Sequence, residues 1–356
     1  MKVRATVIAM GWTVCVATAL AADRAPETLT GLSSSVVKIE AVDINGRAWI
    51  GTGVAVAPEH VVTSCHVTSR GESITVQSRG LRRTVASQLP DTDHDLCILD
   101  VPGLPAQPVQ LGSSQSLDVG TPVWAFGFEG GVALHARAGI VRALHAYDGA
   151  RVVESTTAFT SGASGGALFD MQGRLVAILT YRLRGDRHSY FSVPVDWFAS
   201  HVNDMHAYMA VAPLVGAQPF WQRPEQGLPY FLRAHQLEAA HDWHGLLSLA
   251  DEWSKAENAN AEAWVFRGRS LVETQDRAGA RLAFQQAVAL DPGSSAAWLQ
   301  LGRLSAHDGQ TADAEDALSQ LNRINPEVAQ CLALEMRPAS DPGQPDKPTP
   351  DACSQL

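Results

Sequence analysis

The stretch Ser161-Gly162-Ala163-Ser164-Gly165-Gly166-Ala167-Leu168 sets a small hydroxyl side chain in a glycine-rich turn just before an apolar run. Glycine reaches backbone angles that other residues avoid, so the chain can pass close beneath Ser164. A serine hydroxyl is a weak nucleophile at neutral pH. It needs a base within hydrogen-bond reach, and that base needs an orienting partner. Upstream, Val61-Val62-Thr63-Ser64-Cys65-His66-Val67 supplies an imidazole, and Asp93-His94-Asp95-Leu96-Cys97-Ile98-Leu99 supplies a carboxylate leading into an apolar run. Asp93 and Asp95 compete, because alternation puts both on one face of a strand. Asp95 abuts the apolar run and is preferred. In this reading His66 accepts the proton of Ser164, Asp95 fixes the imidazole tautomer, and the N–H groups of Gly162 and Ser164 form an oxyanion hole.

Outward from these residues the chain changes character twice. From Ser33 to about Pro194, short apolar runs such as Ser35-Val36-Val37-Lys38-Ile39 and Leu175-Val176-Ala177-Ile178-Leu179 alternate with glycine, proline and aspartate. That pattern predicts an all-β sandwich or barrel, with the domain taken as residues 31–210. Trp197, Phe198, His201, Val202 and Met205 recur at helical spacing and predict a closing helix over 195–209. Pro213, Gly216, Pro219, Pro224, Gly227 and Pro229 then mark a linker over 211–229, so the part before it is expected to fold alone.

From Tyr230 the chain is helical and repetitive. Trp264 and Trp298 are 34 residues apart, as are Gly268 and Gly302, Ala280 and Ala314, and Pro292 and Pro326. That period and order resemble the tetratricopeptide repeat. One period earlier, Tyr230, Ala234, Leu246 and Ala250 mark a degraded first repeat, with Trp253 where a small residue is usual. The repeats are taken as residues 230–328, and the proline-rich 338–356 as a disordered tail.

The motifs together identify a resemblance. Residues from about Ser33 to His201 resemble the trypsin-like serine proteases, and among them the bacterial HtrA (Deg) branch. Gly51-Thr52-Gly53-Val54 with the His66 segment, Asp95-Leu96-Cys97-Ile98-Leu99, Gly139-Ile140-Val141 and Ser192-Val193-Pro194 carry it. The resemblance implies two six-stranded β-barrels with a His66, Asp95, Ser164 triad between them. The expected architecture is therefore multidomain: an all-β trypsin-like double β-barrel followed by an all-α helical-repeat domain. Two features depart from the pattern. The repeats stand where this branch usually carries PDZ domains. Ala163 replaces the aspartate with which digestive trypsins hold a freshly cut N-terminus, so activation by that ion pair is not expected. Ala158, six residues before the nucleophile, would sit at the base of the primary pocket. It offers no acid for Lys or Arg, so cleavage after small or medium apolar residues is expected. The rival expectation is an inactive scaffold that binds partners through the repeats.

Composition narrows the partners. The formal net charge is −10, and residues 230–330 carry 8 basic against 14 acidic side chains, which disfavours nucleic acid. A protein or peptide substrate, and a protein partner at the repeats, are expected. Lys2 and Arg4, the apolar Ala5 to Leu20 and the small-x-small Ala19-Leu20-Ala21 predict a cleaved signal peptide over 1–21. The location is then periplasmic or secreted, with no stable membrane anchor. Cys65, Cys97, Cys331 and Cys353 remain after cleavage. Cys65 and Cys97 flank His66 and Asp95, which must approach each other, so a disulfide between them is expected in an oxidising compartment. Cys331 and Cys353 are a weaker pair. There is no CxxC, HExxH or paired Cys/His cluster, so no metal or cofactor is expected. His94, His135, His145, His188, His241 and His244 are read as surface or packing residues.

Overall fold

The structure is a computed structural model that describes residues 31–183, 189–202, 207–216 and 218–337. The expected signal peptide and proline-rich tail lie outside the described residues.

Seven strands open the chain: β1 (Val36–Val42), β2 (Ala48–Ala57), β3 (His60–Ser64), β4 (Ser73–Ser78), β5 (Leu81–Thr84), β6 (Ser87–Asp91) and β7 (Leu96–Asp100), with one helical turn, α1 (Cys65–Thr68), after β3. Seven more follow: β8 (Pro122–Glu129), β9 (Ala133–Tyr147), β10 (Ala150–Ser155), β11 (Ala167–Asp170), β12 (Leu175–Leu183), β13 (Ser189–Pro194) and β14 (Met209–Ala210). The second half closes as a six-stranded barrel in the order β10-β13-β12-β11-β8-β9, as expected. The first half differs from the expected six strands. It is an eight-stranded sheet, β14-β6-β7-β3-β2-β1-β4-β5: the chain lays down seven strands before β8, and the returning strand β14 adds an eighth beside β6.

Strand β1 alternates, with Val37, Ile39 and Ala41 buried. The first five residues of β12, Leu175 to Leu179, are all apolar because both faces are covered there. Val176 and Leu179 face one core, and Leu175 and Ile178 face another.

The closing helix expected over 195–209 is not formed among the described residues. Val195–Trp197 is a single 3-10 turn, and Met209–Ala210 is β14. The apolar spacing is real, but Trp197, Phe198 and Val202 find separate neighbours. Trp197 stacks on His94 with ring centroids 4.0 Å apart, while Phe198 and Val202 enter the main core. Asp196 is held by the N–H of Ser114 at 2.8 Å.

The stretch expected as a linker is packed against the sheets. The Leu214 N–H donates to the Ser69 carbonyl at 2.7 Å, and the Phe220 N–H to the Asp93 carbonyl at 2.8 Å. Gln88 Nε2 donates to the Ala212 carbonyl at 3.0 Å. Phe220 is fully buried, and Arg223 pairs with Asp93. Proline and glycine made this segment irregular without making it loose.

The repeats follow as α2 (Tyr230–Ala239), α3 (Trp243–Ala256), α4 (Ala261–Glu273), α5 (Arg277–Leu290), α6 (Ser295–His307), α7 (Thr311–Ile324) and α8 (Pro326–Glu335). The side chains of Asp242 and Asp276 cap α3 and α5 one period apart, accepting from the N–H of Gly245 and Gly279. Gly268 and Gly302 are where helices touch: a Cβ on Gly268 would lie 2.4 Å from the Phe284 ring. Trp253 fits the first repeat by stacking on Tyr230 and bonding Glu257.

The β part, expected to fold alone, shares an apolar core with the first repeat helices. One apolar cluster runs from Phe169, Ile178 and Phe191 of the barrel through Phe220 to Phe231, Leu246 and Trp253 of the first repeat helices. At the far end of the repeats, Asn325 Nδ2 donates to the Val119 carbonyl at 2.9 Å. The repeat array therefore touches the barrel at both ends.

Candidate active site

The serine turn is shaped by close approach. Gly165 has φ +82°, and a Cβ there would lie 2.1 Å from the Thr52 carbonyl oxygen. Gly162 has φ +95°, and its Cβ would lie 2.4 Å from the Phe128 carbonyl oxygen. Both positions therefore need glycine. Thr52, on β2, pins the turn. Its N–H donates to the Ser164 carbonyl at 2.8 Å. Its hydroxyl donates to the Gly162 carbonyl at 2.7 Å and accepts from the Phe128 N–H at 2.8 Å. The Thr63 hydroxyl closes the set by donating to the Thr52 carbonyl at 2.6 Å. The sequence motif around Gly51 and Gly53 contains Thr52, but nothing in it indicates this pinning.

His66 sits on α1, directly after the strand that carries Thr63. Asp95 Oδ2 lies 2.6 Å from His66 Nδ1, and Asp95 Oδ1 accepts the His66 backbone N–H at 2.8 Å. Asp95 is fully buried, and it lies in the turn before β7 with φ +61°, not on the strand. The face-sharing argument between Asp93 and Asp95 therefore does not apply. The turn sends Asp93 to Arg223 and Asp95 to His66.

The Cys65 N–H donates to the Asp95 carbonyl at 3.1 Å, and a disulfide joins Cys65 to Cys97 across a Cα separation of 4.9 Å. Cys331 is also disulfide-bonded.

The Ser164 hydroxyl makes a long hydrogen bond to the Thr180 carbonyl at 3.4 Å. Among the described residues, the amide N–H groups of Gly162 and Ser164 have no acceptor. Two unpaired donors beside a serine hydroxyl can receive a developing oxyanion. Ala158 is exposed on the loop after β10.

Burial works against a charged His66, but the Asp95 carboxylate outweighs it and holds the imidazole pKa above its ordinary value. The indole of Trp221, from the packed 211–229 stretch, meets the His66 ring edge-on at 5.6 Å and stacks on Tyr181 at 5.0 Å. Nothing in the sequence marks this wall, because the surrounding prolines and glycines place Trp221 in an expected linker.

A second polar cluster lies at the junction of barrel and repeats. His145 is fully buried, stacked on Phe231, and sits between Glu154 and Glu262.

The barrel and its serine turn define a trypsin-like peptidase domain, and residues 51–178 match the family model of that description. Residues 271–335 match a tetratricopeptide repeat model. The chain thus joins a trypsin-like peptidase domain to C-terminal tetratricopeptide repeats, and its peptidase part is similar to HtrA-like proteases. Among curated relatives, "Probable periplasmic serine endoprotease DegP-like" of Pseudomonas savastanoi pv. phaseolicola is 29% identical over 168 residues, covering 44% of this chain and 35% of the relative. A protein of the same description from Pseudomonas putida strain F1 is 31% identical over 157 residues, covering 41% and 33%. The chain thus spans about a third of the length of the curated relatives it matches. Among solved structures, the active form of Rv3671c protease from M. tuberculosis aligns with a TM-score of 0.48 at 23% identity, covering 60% of this chain and 99% of that one.

Proposed function

We propose that this chain is an exported serine endopeptidase acting on protein or peptide substrates through Ser164, His66 and Asp95. The observation that carries the reading is the 2.6 Å contact between His66 Nδ1 and Asp95 Oδ2, made beside a serine turn that Thr52 and Thr63 tie to the same strand pair. With Nδ1–H committed to Asp95, Nε2 is free to act as the base. Ser164 Oγ attacks the scissile carbonyl carbon and gives its proton to His66. The carbonyl electron pair moves to oxygen, where the N–H groups of Gly162 and Ser164 receive it. Collapse breaks the C–N bond, the amine leaves with the proton from His66, and an acyl-enzyme remains. Water then repeats the sequence and frees the acid.

The apolar side chain of Ala158 supports a preference for small or medium apolar residues before the cut. A peptide-library profile dominated by Lys or Arg would contradict that preference. Periplasmic location is supported by the relatives so described. No helix among the described residues is long and apolar enough to cross a membrane. The repeats supply a binding surface for a partner or substrate, a role repeat arrays commonly fill.

A fluorophosphonate probe tests the chemistry. It should label the chain once, at Ser164, in a peptide-mapped digest. A folded chain that stays unlabelled would be a non-catalytic scaffold.

A further inference from the structure

We infer that His145, Glu154 and His235 form a site for a divalent transition-metal ion of zinc-like chemistry, which fastens the first repeat helix to the peptidase barrel. The three residues come from separate elements. His145 pairs across β9 and β10 with Val152, so Glu154, two residues further on, shares its face of the sheet. His235 comes from α2. One ligand atom from each residue lies within 4.8 Å of the others.

The spacing is also that of ligands around an ion. Ligands about 2.0–2.1 Å from a tetrahedral zinc stand about 3.3–3.4 Å apart. Here Glu154 Oε2 lies 3.3 Å from His145 Nε2 and 3.5 Å from His235 Nε2. His235 Nε2 is buried and has no hydrogen-bond partner. A buried polar atom left so is costly, and a metal would satisfy it.

The outer partners also match. Zinc-binding imidazoles commonly give their second nitrogen to a carboxylate. Glu262 Oε1 takes that place at 2.5 Å from His145 Nδ1, while Glu238 Oε2, 3.8 Å from His235 Nδ1, is near it but beyond hydrogen-bond distance. Arg142 approaches the other oxygen of Glu154 at 3.4 Å, leaving Oε2 to face the two imidazoles. Arg269 pairs with Glu238 at 3.2 Å. With neutral imidazoles the carboxylates of Glu154, Glu238 and Glu262 outnumber these guanidinium groups, so a cation is favoured. The residues also line a cavity of about 1090 Å³ between barrel and repeats, with room for water at a fourth coordination position. No local motif announces the site, because His145 and Glu154 are joined to His235 only by the docking of α2.

The test is metal binding by the full chain, read without any proteolysis, so its outcome is independent of the peptidase proposal. After treatment with a chelator, the chain is dialysed against zinc and its metal content measured. One zinc per chain should be retained, and cobalt in its place should give the intense visible absorption of a low-coordinate N/O site. His235→Ala and Glu154→Gln should lose the retained ion, with near-ultraviolet circular dichroism reporting the fold. Glu262→Gln keeps the ligands and should weaken zinc binding about 10–100-fold. Failure of the wild-type chain to retain zinc or show the cobalt spectrum overturns the site. So does undiminished binding by folded His235→Ala, or by Glu262→Gln if the ligand variants do not fold.

Discussion

Asp95 Oδ2 lies 2.6 Å from His66 Nδ1, and the carboxylate holds the imidazole pKa above its ordinary value against the opposing effect of burial. A general base must be neutral, so kcat/KM should fall on the acid side with a midpoint above the unperturbed value of about 6.5. A pH–rate profile checks this. Asp95→Asn should move that limb down and lower kcat by about 10⁴-fold. The same shift bears on stability: a raised pKa in the folded state stabilises fully below about pH 6.5 and is lost as pH rises through the folded value. Thr52→Val tests the pin beneath the serine. It leaves the Gly162 carbonyl and the Phe128 N–H without their hydroxyl partner, at a cost of about 1–3 kcal/mol in denaturant unfolding. It should also lower kcat more than it raises KM. At this scale the residue types and their order were legible in the sequence. Asp95 could be preferred over Asp93 from the apolar run, but its left-handed turn could not be read. Thr52 was hidden because its partners lie on another barrel.

The short helix α1 and the turn before β7 are tied together by the Cys65–Cys97 disulfide and by the Cys65 N–H on Asp95. Replacing both cysteines by alanine should cost about 2–4 kcal/mol in unfolding experiments. Because the bridge flanks the His66–Asp95 pair, kcat should fall as well. Unchanged kcat would mean that backbone hydrogen bonds alone hold the pair. In the repeats, Ala280 is fully buried. Ala280→Trp should overpack the hairpin by about 1–3 kcal/mol or more, visible as a lower melting temperature. The repeat helices were legible because one period recurs in several residue types, and Trp, Gly, Ala and Pro each report the same hairpin geometry. The helix expected over 195–209 is not formed by the described residues there, for the opposite reason. A single apolar spacing, without a cap or a second repeat, fits scattered packing as well as a helix.

Across the whole molecule the core passes from the barrel through Phe220 into the first repeat helices. Truncation after Pro229 would remove Phe231 from the rings of Phe191 and His145. The truncated chain should therefore melt lower than the full chain and aggregate, by light scattering during a thermal ramp. A soluble fragment of unchanged melting temperature would show that the junction adds nothing. This continuity was illegible, since proline and glycine mark irregular backbone whether it is free or packed. What joins the parts is aromatic stacking between residues far apart in sequence. The central claim is that Ser164 is the nucleophile of a working peptidase. The most direct measurement compares hydrolysis of an unfolded protein substrate by wild type and Ser164→Ala at equal concentration. Loss of the triad serine should lower kcat by about 10⁴ to 10⁶-fold with the melting temperature unchanged. Equal cleavage by the two proteins would contradict the account.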